Sequence, residues 1–403
     1  MGRRETEMEQ LAAVLRASSS SSRGLTILMT GASRYVFVKL VKYMYIYLGC
    51  DRRILCRNSF PLTLLVFSGI GLYASKLLHY SNPEHRLLLV ARSIEKAEAT
   101  KLEVQAVRST PENNQNIIPI SCDHSSLQSV KQFAEVLRNT MGQMNNSTDS
   151  TSSGGDHPTS KTCRIDVICF NAAMIAPADS KPQFTQDNME ITFQTNHIAP
   201  FLMMNLIHDL IAPGGRIIIT SSGLHEGPSF HDFSGCQIDP QSGTFQPHFE
   251  TLNGIDFHYK KNYALSKLCN TAFCLALHRR LRQHPNGIVV NCFTPGLITT
   301  TGLWRHQNQW LMPFFSLFAN TVMNFGSTVE WGGGALAWMA ISDQAGKEGG
   351  QYYKTPTGSS HKYPLYGKSF CVSPMSAEAT NEENQDKLWE LSAQLSGISN
   401  DLL

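Results

Sequence analysis

Short apolar runs alternate with longer helical patterns along this chain from Leu25 onward. LTILMT (25–30), RLLLVAR (86–92), NIIPISCD (116–123), RIDVICFNAA (164–173), GRIIITSS (215–222) and IVVNCFTPG (288–296) have the length and residue types of buried strands. Strand and helix taken in turn predict an α/β fold, a doubly wound parallel sheet with helices on both faces. A ligand is then expected outside the carboxyl ends of the strands.

The ends of the chain carry less pattern. Residues 1–23 combine an acidic start with the run Ser18 to Ser22, a composition expected to form a disordered tail. The folded body is expected over 24–375, with a C-terminal helix and tail over 376–403. Within the body, the Ser-, Thr-, Gly- and Asp-rich stretch 145–160 reads as a flexible loop. Ser327 and Glu330 form a capping-box signature that opens a further helix.

Two halves of a glycine loop follow the first strand but are not contiguous. TGASR (30–34) and GIGLYASKLL (69–78) would join into a tight turn with a helix behind it, the arrangement that lets backbone amides approach a pyrophosphate. Gly31, Ser33, Arg34, Gly69, Ile70 and Gly71 are therefore candidate dinucleotide contacts. Tyr35 to Ser68 lie between the halves, where such connections usually hold about two to six residues. A membrane span is disfavoured, because the apolar run Phe60–Tyr73 is short, contains Pro61 and takes up the glycines. A surface insertion is one reading. The preferred one is an unspliced intron retained in frame: Arg34–Tyr35–Val36 can be encoded with GTATGTA after two bases, and Val66–Phe67–Ser68 with TTTTCAG ahead of the last serine base.

Composition narrows the function classes. A formal net charge of +2 and 16% charged residues argue against a nucleic-acid partner. The basic stretch His278–His284 is expected to be a solvated helix end. Ten cysteines without paired spacing point to a reducing, intracellular compartment, cytoplasmic or plastid. Glu5, Glu7 and Glu9 argue against a transit peptide, and the Asn146 sequon reads as chance. The histidines show no metal-ligand spacing, so no metal is expected.

Arg92 ends the second strand, where an acidic residue would favour a ribose diol and an arginine favours a 2′-phosphate. With Arg34, it makes NADP(H) the expected cofactor. Asp123 and Asn171 follow their own strands, at positions suited to an adenine contact and a backbone spacer. Tyr263 and Lys267, in YALSK, are four residues apart and share one helix face. A phenol near pKa 10 is a poor acid at neutral pH; an adjacent ammonium stabilises its phenolate and makes proton transfer accessible.

These motifs, in this order from Leu25 to Trp338, resemble the short-chain dehydrogenases/reductases, which have a Rossmann-like fold. The resemblance implies that Ser222 orients a substrate carbonyl, with Ser221 as the fallback, and that Asn196 holds a proton-relay water. It further implies cofactor contacts from Ala172, Pro295, Gly296 and Thr300, as well as from Tyr263 and Lys267. The interrupted glycine loop and FNAA, where NNAG is usual, depart from the pattern. PGLITTTGLWRHQNQWLMPFFSLFANTV, STVEWGGGALAWMA, GGQYY, DKLWELSAQLSG, the HRR at 278–280 and Cys269 in YALSKLCN resemble the light-dependent protochlorophyllide reductases more narrowly.

That likeness implies reduction of a tetrapyrrole ring double bond by NADPH, with Tyr263 as proton donor. Leu297 stands where that family usually has cysteine, so a role for that thiol does not transfer. The aromatic segment Trp304–Trp331 suits a lid over a large apolar substrate or a peripheral membrane contact. Two other functions compete: a carbonyl reductase or alcohol dehydrogenase acting on a retinoid, steroid or other lipid, and a non-catalytic binding protein whose broken loop no longer holds cofactor.

Overall fold

The computed structural model describes residues 2–19, 25–30, 34–36, 66–108, 116–149, 164–177, 181–228, 236–238, 245–247, 258–282, 287–298, 303, 327–355 and 370–399. In chain order the strands are β1 Thr26–Thr30, β2 Arg34–Val36, β3 Val66–Ser68, β4 Arg86–Ala91, β5 Ile117–Ser121, β6 Ile165–Phe170, β7 Ile211–Thr220, β8 Cys236–Ile238, β9 Phe245–Pro247, β10 Val289–Phe293, β11 Tyr352–Lys354 and β12 Cys371–Ser373. The α-helices are α1 Gly2–Ser18, α2 Ile70–Ser81, α3 Ile94–Gln105, α4 Leu127–Asp149, α5 Ile191–Phe193, α6 Ala199–Ile207, α7 Tyr259–Leu281, α8 Val329–Ile341, α9 Ala377–Thr380 and α10 Glu382–Ser396.

Eight strands form one sheet in the order β12-β11-β10-β7-β6-β1-β4-β5. Every pairing is parallel except β11 with β12 at the edge. Strand order reverses between β1 and β6, which creates the crevice where a doubly wound sheet binds ligands. Alternation along the strands feeds two cores, since successive side chains point to opposite faces. Leu28, Leu88, Val90, Ile168, Ile217 and Ile219 meet α4, α6, α7 and α10 on one face, while Ile27, Met29, Leu87, Leu89, Val167 and Ile218 meet α1, α2 and α8 on the other.

The N-terminal region departs from the expectation of disorder. Residues 2–18 are helical, and Leu11, Ala12 and Leu15 are buried in the second core. These positions lie on one helix face and bury at about 1.5–3 kcal/mol per leucine, enough to order the segment. The helix ends where the Ser18 carbonyl accepts the Asp343 amide at 2.8 Å.

The basic run at the end of α7 departs too. Arg279 pairs with Glu382 and Asp386, and Arg280 with Asp386, while the Arg280 guanidinium lies 4.0 Å from the Trp389 ring centroid. Its first cations hold α10 rather than facing solvent alone. The capping box also shifts by one residue: Thr328 is the N-cap of α8, its hydroxyl accepting the Trp331 amide at 3.1 Å, while the Ser327 hydroxyl is buried. Helix α4 extends through 145–149 of the expected loop, and 150–163 lie outside the described residues.

Insertion residues 37–65 also lie outside the described residues, but their two ends are placed. β2 and β3 pair antiparallel, with Arg34 opposite Ser68 and Val36 opposite Val66. This neck sets Arg34, the last residue of the first half-loop, beside Ser68, which precedes Gly69 of the second.

Candidate active site

Three strand ends are tied together at the crevice. The Thr30 hydroxyl donates to the Cys169 carbonyl (3.1 Å) and accepts the Asn171 and Ala172 amides at 2.9 and 3.2 Å. The Asn171 amide group donates to the Thr30 carbonyl, and its oxygen accepts the Thr220 hydroxyl at 3.2 Å. Asn171 thus acts on the ends of β1, β6 and β7 through both polar atoms of its side-chain amide. Thr220, which completes this knot with Thr30 of the TGASR half-loop, was not singled out by the sequence.

Helix α7 carries the candidate proton-transfer pair. Tyr263 is 8% exposed and Lys267 1% exposed, and the ammonium lies 5.6 Å from the phenol ring centroid. Lys267 Nζ donates to the Thr220 carbonyl at 2.9 Å, which fixes it at the end of β7. Burial disfavours charge on both groups: it raises the Tyr263 pKa and lowers that of Lys267 to about 7. The phenol is therefore kept protonated, and the amine beside it gains and loses a proton near neutrality.

The two candidate serines separate cleanly. Ser221 is buried; its hydroxyl bonds the Lys267 carbonyl at 3.1 Å and the Thr271 hydroxyl at 2.7 Å, inside α7. Ser222 is partly exposed, and its hydroxyl oxygen accepts the Leu224 amide at 3.2 Å as the cap of a short 3-10 turn. That bond leaves the Ser222 proton available for donation. Of the two, Ser222 suits a carbonyl-orienting role.

Asn196 sits in a π-helical turn, Gln194–Ile198, between α5 and α6. Its amide nitrogen donates to the Met174 carbonyl (2.9 Å) and the Ser266 hydroxyl (3.0 Å), and its oxygen accepts the Met174 amide at 2.8 Å. Both amide protons are committed, so the side chain clamps the segment after β6 to α7.

The candidate cofactor side is built from the starts or ends of α2, β4 and β5. Gly69 is the N-cap of α2, with no side-chain cap over the first turn. Ile70 and Gly71 lie in that turn, where amides and dipole favour an anion. Close packing of α8 supports it: a Cβ on Gly333 would meet Tyr73 Cβ at 2.8 Å and the Ile70 carbonyl at 3.0 Å. Arg92, half exposed, lies 3.7 Å from Asp123, whose carboxylate also accepts the Ser125 amide and hydroxyl. Gly296, at φ +80°, occupies the left-handed region after Pro295, a backbone state that favours glycine. Gly31, Ser33, Thr300 and most of the aromatic segment 304–326 lie outside the described residues, as does the Arg34 side chain. Leu297 is partly buried, and its carbonyl accepts the Ser327 amide at 2.8 Å, which pins together the two ends of that segment.

Among the described residues no group of three or more His, Cys, Asp or Glu side chains is placed to hold a metal, and no helix is long and apolar enough to cross a membrane.

No family profile matches the chain. It is 27% identical to a chloroplastic protochlorophyllide reductase of Marchantia paleacea over 82% of this chain and 66% of that one, so it spans just under two thirds of that relative. The Pisum sativum protochlorophyllide reductase is 27% identical over 82% of this chain and 76% of its own. A WW domain-containing oxidoreductase of Gallus gallus is 27% identical over 68% of this chain and 54% of its own. Among solved structures, an uncharacterized protein from Mycobacterium paratuberculosis shares the fold, with a TM-score of 0.55 at 18% identity over 95% of this chain and 97% of that one.

Proposed function

We propose that this chain, which belongs to the short-chain dehydrogenase/reductase superfamily and is related to protochlorophyllide reductases, is an NADPH-dependent reductase of a large apolar substrate in the protochlorophyllide class. The observation that carries this reading is the Tyr263–Lys267 pair, buried and anchored to β7 beside the crevice.

The residues present fit a phosphorylated dinucleotide. The uncapped start of α2 suits a pyrophosphate, Arg92 suits a 2′-phosphate, and Asp123 suits the adenosine end. When bound, the dinucleotide supplies the hydride. The protein's part is the proton: Tyr263 Oη donates it to the atom left electron-rich, and Lys267, with its pKa near neutrality, stabilises the phenolate that remains. Asn171 and Asn196 hold the strand end and the following segment still, and Ser222 offers a hydroxyl proton to a substrate oxygen.

A second reading, reduction of a carbonyl on a retinoid, steroid or other lipid, is supported by Leu297 in place of a thiol and by the donor geometry of Ser222. Purified protein tested with NADPH and protochlorophyllide, in darkness and in light, separates the two. Light-dependent loss of the pigment's double bond supports the first. Dark reduction of all-trans-retinal alone supports the second. In either case Tyr263→Phe should abolish turnover while NADPH binding is retained; unchanged turnover would defeat the assignment.

A further inference from the structure

Immediately after Ser222 lies a histidine that the reaction as described does not use. His225 is fully buried within the 3-10 turn Gly223–Glu226. Its Nδ1 is 2.8 Å from the Ser222 carbonyl oxygen, and its Nε2 is 3.4 Å from the Ser376 backbone nitrogen. A carbonyl oxygen can only accept, so Nδ1 carries the proton; an amide N–H can only donate, so Nε2 does not. Geometry alone therefore fixes a neutral ring in one tautomer. The Tyr352 ring packs edge-on against it at 4.8 Å, and the charged groups beside it, Glu226 and Lys354, pair with each other at 2.7 Å. Burial lowers the His225 pKa, in keeping with a neutral ring.

Each partner of His225 leads somewhere different. Ser222 accepts twice from this residue, through Nδ1 and through the His225 amide at 3.1 Å, so the turn that aims the serine hydroxyl is closed by His225. Ser376 is the N-cap of α9, and α9 is followed directly by α10, which packs on the helix carrying Tyr263. The ring thus links the turn that carries Ser222 to the N-cap of α9.

We infer that His225 is a positioning residue: it joins the Ser222 carbonyl to the Ser376 amide, so that docking of the C-terminal helices sets where the serine hydroxyl points. This rests on the reductase reading for its kinetic consequence but not for its structural one, and the experiment has an arm for each.

The structural arm uses 15N-histidine NMR on the full chain without substrate. The ring signal that disappears in His225→Phe should report a neutral Nδ1–H tautomer at pH 7. A neutral Nε2–H tautomer, or a charged ring, would overturn the inference whatever the protein turns over. The same signal should change in Ser376→Pro, which removes the amide hydrogen at a position whose φ of −63° already suits proline, and not in Ser376→Ala, which removes only the hydroxyl.

The kinetic arm compares His225→Asn, whose amide nitrogen replaces Nδ1, with His225→Gln, whose amide reaches toward the Nε2 position. With NADPH and whichever of protochlorophyllide or all-trans-retinal the unaltered protein reduces, kcat should fall about tenfold in His225→Phe and His225→Gln and recover to within about threefold in His225→Asn, with the NADPH Kd unchanged in all three. Equal losses in the Asn and Gln variants, tracking only the folded fraction, would mean a packing role and overturn the proposal. Should the unaltered protein reduce neither probe, the reductase reading fails, and the tautomer and the Ser376 pair decide the inference.

Discussion

Gly333 and Gly142 allow the same chemical change, Gly→Ala within a helix, to be made in two opposite environments. Alanine is favoured over glycine in a helix interior by about 1 kcal/mol. At Gly142, on the exposed side of α4, an added Cβ meets nothing within 4 Å, so that gain should be realised in full. At Gly333 the new atom would sit 2.8 Å from Tyr73 Cβ and 3.0 Å from the Ile70 carbonyl, both fixed to the α2 backbone. Overpacking of this kind costs about 1–3 kcal/mol, which outweighs the propensity gain.

Gly142→Ala should therefore raise stability by about 1 kcal/mol and Gly333→Ala lower it by about 1, a separation of roughly 2–3 °C in Tm for a chain of this size. Because α2 must shift to relieve the contact, Gly333→Ala should also weaken NADPH binding several-fold, while Gly142→Ala leaves it alone. Differential scanning calorimetry and fluorescence titration of the two variants are the assays. A Gly333→Ala variant as stabilised as its counterpart would refute the close approach of α8 to the dinucleotide helix.

Other expectations concern charge and the insertion. Arg92→Leu should raise the KM for NADPH about tenfold with little effect on NADH; equal effects on both would remove Arg92 from the 2′-phosphate. His85 accepts the Leu25 amide on Nδ1 at 3.0 Å, and burial pushes its pKa down to about 4. The folded state thus resists protonation, so its contribution is complete above about pH 6.5 and is lost as pH falls toward 4, by about 3 kcal/mol in total. Urea midpoints across that range should show the loss, and His85→Gln should flatten it; an unchanged slope would exonerate the histidine. Deleting Tyr35–Ser68 joins Arg34 to Gly69, neighbours across the β2–β3 neck, so NADPH binding should survive; loss of binding in a folded protein would assign the insertion a role in the loop.

The parallel sheet was legible because buried strands in this architecture are continuous aliphatic runs, and each of the six runs became a strand. β11 and β12 escaped because strands three residues long leave too little pattern. Helix α1 was hidden by composition: its charged first half and the serine run that follows it mask three apolar positions that matter only once α2 and α8 are present to receive them. At the site, Tyr263 and Lys267 are set by a local helical spacing and could be found. The choice between Ser221 and Ser222 depends on which hydroxyl α7 absorbs, a tertiary fact. Thr30, Thr220 and His225 are common residues whose roles exist only through partners far along the chain.

The docking of α10 also sets an order of events during synthesis. Arg279 and its partner Asp386 are separated by 107 residues, about 5 to 20 s of translation. Through that interval the helix bearing Tyr263 has been made but lacks the aromatic and acidic cover of Trp389 and Asp386. Its outer face is thus an uncovered nascent surface over that interval, and the helix bearing Tyr263 acquires this support only after the strands that form the crevice have been synthesised.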